Sequence, residues 1–144
     1  PSGTNHKRLS YKFKYMREFY NYILNLKKTV PNLIISGDYN ICHEPIDIHD
    51  PKRNVKVSGF LPEERLWLTQ FINSGFVDSF RYLNSQPHCY SWWSYRANSR
   101  FNNKGWRIDY NMVSKTLKNN IKSSFILDKI VHSDHCPIGL ELKF

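Results

Sequence analysis

Asp38 and Asn40 are the first residues of this sequence that could act on a phosphate or hold a metal. They lie two positions apart in the polar segment Ser36–Asn40. A carboxylate can take a proton from water or bind a metal, and an amide can donate to a phosphate oxygen. Such a segment is more often a plain turn after a strand, so other motifs must decide between the two interpretations.

Two further acids have a histidine as neighbour or possible partner. Asp134 and His135 are adjacent, before the last apolar segment. The imidazole could meet a phosphate and the carboxylate a metal, although an Asp-His pair in a loop is commonly structural. Asp109 alternates with apolar residues in Gly105–Tyr110 and can point inward from a strand. A buried carboxylate needs a partner, and a histidine would suit it.

Aromatic and basic side chains alternate between positions 90 and 107. Aromatic rings can stack on exposed bases or wedge a duplex, and cations can hold phosphates. Neighbouring residues of a strand face opposite ways, so we expect at least one of Trp92 and Trp93 in the core. The set comprises Tyr90, Trp92, Trp93, Tyr95, Arg96, Arg100, Lys104, Trp106 and Arg107.

Cysteine and histidine residues lie close together at two places in the sequence, so a zinc site is an alternative interpretation of these residues. The spacing matches neither CxxC nor HExxH, so the patterns disfavour a zinc site. The three widely spaced cysteines do not make a disulfide framework and favour a reducing, cytoplasmic compartment. The clusters are Cys42, His43, Asp47, His49 and Asp50, and then His132, His135 and Cys136.

The charge balance indicates a polyanionic partner. Lys and Arg number 21 against 12 acids, which gives a formal charge of +9. Nucleic acid is the first candidate, an acidic membrane surface the second, and a merely solvated surface the third. No window approaches the roughly 18 apolar residues of a membrane helix, and no signal peptide opens the chain. We therefore expect no membrane-spanning segment.

These motifs need a scaffold, and apolar periodicity predicts two helices and several strands. One helix covers Leu9 to Leu24 and ends before Pro31, with its apolar stripe facing the core. A second begins at Pro62, with Gly75 as its C-cap. We expect its apolar face from Leu66, Trp67 and Phe71, and a functional loop over 41–60.

The strands predict an α/β layered fold of one domain. The first is a buried strand that leads directly into Asp38. The last alternates apolar and polar residues, which indicates one buried face. The predicted strands are Leu33–Ser36, Val77–Tyr82, Tyr90–Tyr95, Arg107–Val113, Ser124–Ile126 and Ile138–Phe144.

Taken together, the motifs resemble the endonuclease/exonuclease/phosphatase superfamily, and within it the exonuclease III branch of AP endonucleases. They occur in that family's order and spacing and cover nearly the whole chain. The matching stretches are Ser36–Asn40, His49–Phe60, Leu61–Arg65, Tyr90–Arg96, Gly105–Tyr110 and Ser133–Pro137.

The resemblance implies an α/β (α+β) fold, the C-terminal half of a four-layered, DNase I-like α/β sandwich. Residues 1–144 would be one partial domain whose N-terminal half is absent. Pro1–Gly3 looks like the end of a family motif whose Tyr lies upstream, and the family's metal-binding Glu lies earlier still. The implied partner is that missing half. We expect little activity without it, and a monomer when the fold is complete.

The resemblance also implies roles around Mg²⁺, with Mn²⁺ as a possible substitute. Asp38 would orient or deprotonate the attacking water, and Asn40 would contact the scissile phosphate. Asp109 would pair with His135, which would stabilise phosphoryl charge, and Asp134 would lie at the metal. The implied metal site comprises Asp38, Asn40, Asp134 and His135.

DNA contacts follow from the same resemblance. Asn54, with Lys52 and Arg53, falls where the family meets the DNA backbone, and Val57 stands where some members carry Asn. Pocket walls for a flipped abasic sugar, together with further DNA contacts, fall on the aromatic and basic segment. Those residues are Trp92, Tyr95, Arg96, Trp106, Arg107 and Ile108.

The implied function is hydrolysis of a phosphodiester 5′ to an abasic site, 3′→5′ exonuclease action, or both. The substrate would be double-stranded DNA with abasic sites or 3′ ends, in a bacterial cytoplasm at the nucleoid. One alternative is a lipid or sugar-phosphate phosphodiesterase of the same superfamily, which the basic loop and the tryptophans disfavour. Another is a non-catalytic nucleic-acid-binding fragment, which the retained Asp38, Asp109 and His135 disfavour.

Overall fold

Two helices and a three-stranded antiparallel sheet enclose the main core, in a computed structural model that describes residues 8–144. The Pro1–Gly3 motif lies outside the described residues. The helices are α1 (Leu9–Thr29), α2 (Pro51–Asn54), α3 (Pro62–Asn73) and α4 (Ser79–Leu83). The strands are β1 (Ile34–Asp38), β2 (Phe76–Asp78), β3 (Trp92–Trp93), β4 (Gly105–Trp106), β5 (Asp109–Ser114), β6 (Ile121–Ile126) and β7 (Ile138–Leu142).

Strand β5 is the centre of the largest sheet, with β1 on one side and β2 on the other. Both neighbours pair with it antiparallel, and the register places Ile34 opposite Val113 and Asp38 opposite Asp109. Residues directly opposite each other in such a ladder have side chains on the same face. The register therefore brings two of the predicted site carboxylates together at the end of β1.

Two smaller ladders complete the architecture. Strands β3 and β4 pair through Trp92 and Trp106, and β6 pairs with β7. Single bridges connect Ile48 to Trp106 and Trp92 to His135. Trp92 thus lies between β4 and the segment that carries Asp134 and His135, which places the aromatic motif beside the acidic ones.

The main core lies between α1, α3 and the sheet, and it is rich in aromatic rings. Phe71 of α3 stacks on Phe76 of β2 with ring centroids 4.8 Å apart. Burying a side chain of this size stabilises the fold by about 1.5–3 kcal/mol. The fully buried members are Met16, Ile23, Ile41, Leu68, Phe71, Phe76, Tyr110 and Met112. The predicted core-facing stripe of α1 is confirmed by Met16 and Ile23.

The structure corrects the predicted face of α3 and the predicted burial of the first strand. Leu66 is 58% exposed, whereas Leu68 and Phe71 face the core together with the carboxylate of Glu64. The strand that leads to Asp38 is not buried, because β1 is an edge strand of its sheet and Ile34 is 44% exposed. Apolar composition alone cannot separate an edge strand from a central one.

Several predicted strands are also shorter than expected. Val77–Tyr82 holds the end of β2 and most of α4, because the Asp78 carboxylate accepts hydrogen bonds from the backbone N–H groups of Phe80 and Arg81. That cap starts a helix where the apolar pattern predicts a strand. Two residues form a strand in Tyr90–Tyr95. Arg107 and Ile108 separate β4 from β5.

The predicted helix bounds and the loop over 41–60 agree with the structure. Helix α1 ends at Thr29, before Pro31, and α3 begins at Pro62. The loop holds a 3₁₀ turn at Pro45–Asp47 and the single-turn helix α2. Within the described part of the chain, no helix is both long and apolar enough to span a membrane.

Candidate active site

One cavity of about 260 Å³ is lined by seven of the fourteen candidate site residues, including all four of the implied metal site. Its walls come from the end of β1, the loop that precedes α3, β3, β4 and the loop before β7. The lining residues are Lys12, Asp38, Asn40, Ser58, Gly59, Trp92, Trp106, Ile108, Asp134 and His135. The tertiary fold therefore joins three motifs that lie nearly one hundred positions apart in sequence.

Asp38 and Asn40 form a tight turn at the cavity floor. Asn40 has a positive φ of 52°, and its backbone N–H donates to Asp38 Oδ1 at 2.7 Å. Its side-chain Nδ2 donates to Asp38 Oδ2 at 2.6 Å. Asn tolerates this left-handed conformation better than most residues. The strained turn points both side chains at the same space.

Solvent still reaches Asp38, yet the protein around its carboxyl group raises the pKa above the ordinary value. Partial desolvation is the main cause, and the nearby Asp109 carboxylate adds to it. The hydrogen bonds from Asn40 and the neighbouring His135 act in the opposite direction. A carboxylate held in this way is a better proton acceptor than an exposed one.

Asp109 fixes the ring of His135. His135 Nδ1 lies 3.0 Å from Asp109 Oδ2, so Nδ1–H donates to the carboxylate and Nε2 is turned away from it. Ser91, which is fully buried, donates through Oγ to the same carboxylate oxygen at 2.7 Å. Ser91 Oγ also accepts from the backbone N–H groups of Ile108 and Asp109. Sequence reasoning missed Ser91, whose single signal is its position beside Trp92.

Asp134 is held by Trp92 from across the cavity. Trp92 Nε1 donates to Asp134 Oδ2 at 3.0 Å, and Ser133 Oγ donates to Oδ1 at 3.1 Å. Desolvation by itself would raise the pKa of Asp134, but the hydrogen bonds from Trp92 and Ser133 outweigh it and the pKa is lowered. Asp134 is therefore kept ionised, with its charge at the cavity.

The apolar wall of the cavity is formed by two tryptophans and Ile108. Trp92 and Trp106 meet edge to face, with centroids 6.0 Å apart and an interplanar angle of 87°. Gly59, at φ +101°, lies under Trp106, and a Cβ there would come within 2.8 Å of the ring. Trp93 is buried, at 3% exposure, whereas Trp92 lines the cavity. The prediction that at least one tryptophan belongs to the core is confirmed.

Lys12 is a cavity residue that sequence reasoning missed. Its side chain is 3% exposed, and Nζ donates to the backbone carbonyl of Asn40 at 2.8 Å and to Glu64 Oε1 at 2.6 Å. Glu64, fully buried, also accepts from the backbone N–H groups of Gly59 and Leu61. Lys12 occupies the apolar face of α1, and that position inside the stripe was the available signal.

Most of the possible metal ligands around the cavity are oxygen atoms, which is the type of ligand that Mg²⁺ prefers. The carboxylates of Asp38 and Asp134 and the amide of Asn40 offer hard ligands, while Nδ1 of His135 is engaged by Asp109. Magnesium is commonly bound through one or two carboxylates together with water and substrate phosphates. No group of three or more His, Cys, Asp or Glu side chains suited to a metal occurs among residues 8–144. The donors therefore fit Mg²⁺ in type but supply a partial ligand set.

Asp47, one of the residues weighed for zinc, belongs to a buried ion-pair network instead. Arg107 Nε and Arg81 Nε both lie 2.8 Å from Asp47 Oδ1. Arg107 Nη2 also lies 2.6 Å from Asp78 Oδ2. Desolvation would raise the pKa of Asp47, but the charge and hydrogen bonds of Arg107 outweigh it and the pKa is lowered. The hydrogen bonds of this carboxylate are filled by the two arginines and by the backbone N–H of Glu44, so that it accepts no metal in their place.

Arg107 corrects the prediction that it contacts DNA. The side chain is 1% exposed, and the N–H groups of its guanidinium donate to Asp47 and Asp78. The charge of an arginine does not reveal whether its side chain is buried or exposed, so the sequence led to the wrong prediction of a surface position for Arg107. Its role is to hold the segment before Asp109 against the loop that contains Asp47.

The other predicted DNA contacts lie at or near the surface. Lys52, Arg53, Tyr95 and Arg96 are exposed. Asn54 is half-buried, and its Nδ2 donates to the carbonyls of His49 and Asp50, where it closes the turn around α2.

Comparison with known proteins gives a consistent result. The model of the endonuclease/exonuclease/phosphatase family matches residues 3–135. The chain is 43% identical over 135 residues to an exodeoxyribonuclease of Bacillus subtilis, covering 93% of this chain and 53% of the relative. It is 42% identical over 136 residues to the DNA repair nuclease APEX1 of Danio rerio, covering 94% and 44%.

The structure of the AP endonuclease LMAP from Leishmania major superposes with a TM-score of 0.90 at 32% identity, covering 99% of this chain and 47% of that one. The predicted fold class is thereby confirmed. The chain spans about half the length of the relatives that it matches.

Proposed function

Because the chain belongs to the endonuclease/exonuclease/phosphatase family, we propose that it is the catalytic part of a metal-dependent DNA-repair nuclease. The reaction would be hydrolysis of a phosphodiester 5′ to an abasic site, removal of nucleotides in the 3′→5′ direction, or both. The relatives named exodeoxyribonuclease and DNA repair nuclease support this class. We place it at DNA in the cytoplasm of a bacterial cell, by analogy with the Bacillus subtilis relative.

The observation that carries the proposal is the shared cavity of Asp38, Asn40, Asp134 and His135 beside Trp92 and Trp106. A polar floor next to an apolar wall suits a phosphate that is joined to a sugar without its base. The wall would receive the abasic deoxyribose. The formal charge of +9 favours the DNA backbone.

The residues of the chain divide the work of hydrolysis. Asp38 orients the attacking water and accepts its proton, which its raised pKa favours. Asn40 uses one amide hydrogen on Asp38, so the second can be donated to a phosphate oxygen. Asp109 accepts from Nδ1–H of His135 and orients the ring, so that an imidazolium at this position donates its Nε2–H to the phosphoryl oxygens as their negative charge grows.

Asp38, Asn40 and Asp134 are the residues that would hold Mg²⁺, with His135 beside them. Mn²⁺ suits the same oxygen donors. When bound, the cation neutralises charge that develops on the phosphate. The lowered pKa of Asp134 keeps that carboxylate available as a ligand at neutral pH.

We also propose that the chain acts together with the remaining half of the same fold, as a monomer once complete. The chain spans about half of its relatives, and the ligand set is partial. Edge strand β1 and helix α1 present large apolar side chains to solvent, which fits a surface that another element covers. These side chains are Tyr11, Tyr15, Tyr22, Val30 and Ile34.

The test is Mg²⁺-dependent cleavage of a duplex that carries one synthetic abasic site. The chain is assayed alone and with the part of the Bacillus subtilis relative that the match leaves out. We expect cleavage after addition and little with the chain alone. The variant Asp38→Ala provides the control, because it removes the proton acceptor and should abolish the added activity.

Cleavage by the chain alone would refute the need for a second half. No cleavage in either mixture, with phosphatase activity on lipid or sugar phosphates instead, would refute the nuclease. Binding of abasic DNA that Asp38→Ala leaves unchanged, without any turnover, would indicate a non-catalytic binding fragment.

A further inference from the structure

A second groove, of about 220 Å³, adjoins the catalytic cavity and is not used by the proposed reaction. One side is the loop 94–101 and the other is the segment 131–134. Asp134 lines both the groove and the catalytic cavity, so the two spaces share a wall. A strand whose phosphate lies in the cavity could therefore continue into the groove.

Three large apolar side chains around this groove are left in water. Phe101 is 92% exposed, Tyr95 is 80% exposed and Val131 is 68% exposed, and all three line the groove. A folded chain gains nothing by presenting these surfaces to solvent. An exposed apolar cluster with a polar border is typical of a binding surface.

Hydrogen bonds hold the loop that carries these aromatic residues. Arg100 donates to the carbonyls of Ser133 at 2.7 Å, Asp128 at 3.0 Å and Ile130 at 2.6 Å. Its guanidinium also lies 4.5 Å from the ring centroid of Trp93. Arg100 thereby fastens the loop to the far side of the groove. The loop backbone is held in place before any partner arrives, which lowers the entropic cost of binding.

The charges around the groove favour a polyanion. Arg96 and Lys104 are exposed within and just after the loop 94–101. Lys129 and Asp128 line an adjoining cavity that shares Phe101 and Val131 with the groove, and Asp134 lines the groove itself. Exposed aromatic rings beside cations, next to a phosphate site, form the arrangement by which proteins hold single-stranded nucleic acid. A nucleobase offers the flat apolar face, and its phosphates meet the basic border.

We propose that this groove binds an unpaired nucleobase of the DNA strand that enters the catalytic cavity, with Phe101 and Tyr95 as its stacking faces. The inference rests on the proposed function and adds a base-binding subsite to it. Stacking on aromatic rings does not depend on which base is present, so the groove would take any base.

Binding, rather than cleavage, provides the test. Fluorescence anisotropy in EDTA would compare the 144-residue chain with Phe101→Ala and Tyr95→Ala. The probes are a blunt 15-base-pair duplex and the same duplex with three unpaired nucleotides at its 3′ or 5′ end. We expect both variants to weaken binding of a tailed duplex about tenfold. Phe101→Ala, at a residue outside the predicted duplex contacts, should leave the blunt duplex unchanged. Phe144→Ala is the matched control, because Phe144 is 89% exposed and follows β7 at its far end.

The outcomes separate this inference from the proposed function. If Phe101→Ala and the unmodified chain bound both tailed duplexes with equal affinity, base binding in the groove would be refuted. The proposed nuclease function would not be affected. Equal losses on blunt and tailed duplexes would also refute base binding in the groove, because they would indicate general DNA contact. If the unmodified chain bound no DNA at all, the groove would be overturned, and the cleavage assay with the added half would still decide the proposed function.

Discussion

Asp38 and Asp109 face each other across the last rung of the ladder between β1 and β5. One carboxylate is bound by Asn40 and the other by Ser91 and His135. Their proximity is one of the causes that raise the pKa of Asp38, after desolvation. The site is therefore built at a cost in stability, since two negative charges share one end of a sheet.

The variant Asp38→Asn should show this cost as a pH dependence. An acid whose pKa is raised on folding stabilises the protein below its unfolded pKa, and that stability is lost as pH rises through the folded pKa. The free energy of unfolding of Asp38→Asn minus that of the unmodified chain should therefore grow as pH rises above the ordinary value of 3.8.

Urea denaturation between pH 3 and pH 8 measures the difference. Solvent access at Asp38 screens the effect, so its direction is the criterion. A difference that is flat, or that falls as pH rises, would contradict the raised pKa.

Asp109 acts through His135, and Asp109→Asn should separate its contribution to rate from that to binding. The amide lacks the negative charge that balances an imidazolium, so donation from the Nε2–H of His135 to the phosphoryl oxygens is weakened. We expect kcat in the abasic-duplex assay to fall by about 100-fold with KM nearly unchanged. Glu141→Gln, at an exposed carboxylate of β7, should leave both values unchanged. A proportional rise in KM would show that Asp109 matters for DNA binding instead.

Arg107 should be among the most costly residues to replace. Arg107→Met leaves Asp47 and Asp78 buried without a shared guanidinium. Loss of one member of such a buried network costs about 3–5 kcal/mol. Chemical denaturation followed by circular dichroism measures the loss, and Arg96→Met at an exposed arginine should change stability by less than about 0.5 kcal/mol. Equal stabilities of the two variants would refute the network.

Lys12 and Glu64 should show strong energetic coupling. Lys12→Met leaves a fully buried carboxylate without its cation, which costs about 3–5 kcal/mol. Because Glu64→Gln removes the charge that Lys12 balances, the double variant should be more stable than the sum of the single losses predicts. A double-mutant cycle of unfolding free energies gives the coupling, and additivity within about 0.5 kcal/mol would rule it out.

Trp92 should tune the acidity of Asp134. Trp92→Phe keeps an aromatic ring and removes the Nε1–H donor, so the pKa of Asp134 should rise toward its ordinary value. Titration of the Asp134 carboxyl carbon by NMR measures the change. Trp93→Phe is the matched control, since Trp93 donates to Asn103 instead. An equal rise in both variants would show that the hydrogen bond is not responsible.

The sequence by itself determined α1, the start of α3, the α/β class and the residues of the polar motifs. Periodicity and proline positions are local properties, so α1 and the start of α3 could be predicted from neighbouring residues. The motifs at Asp38, Asp109 and His135 were visible because acids and histidines beside apolar runs are unusual. Their resemblance to a known family supplied the roles that spacing alone left open.

The tertiary structure decided which side of the protein each charged residue occupies. Arg107 and Arg96 are both arginines in the same basic and aromatic segment, yet one is buried and the other exposed. The roles of Lys12 and Ser91 could be identified only from the tertiary structure. Lys12 of α1 contacts Glu64 of α3, and Ser91 donates to Asp109. Burial and ion pairing depend on partners distant in sequence, and a one-dimensional pattern carries no information on which partners meet.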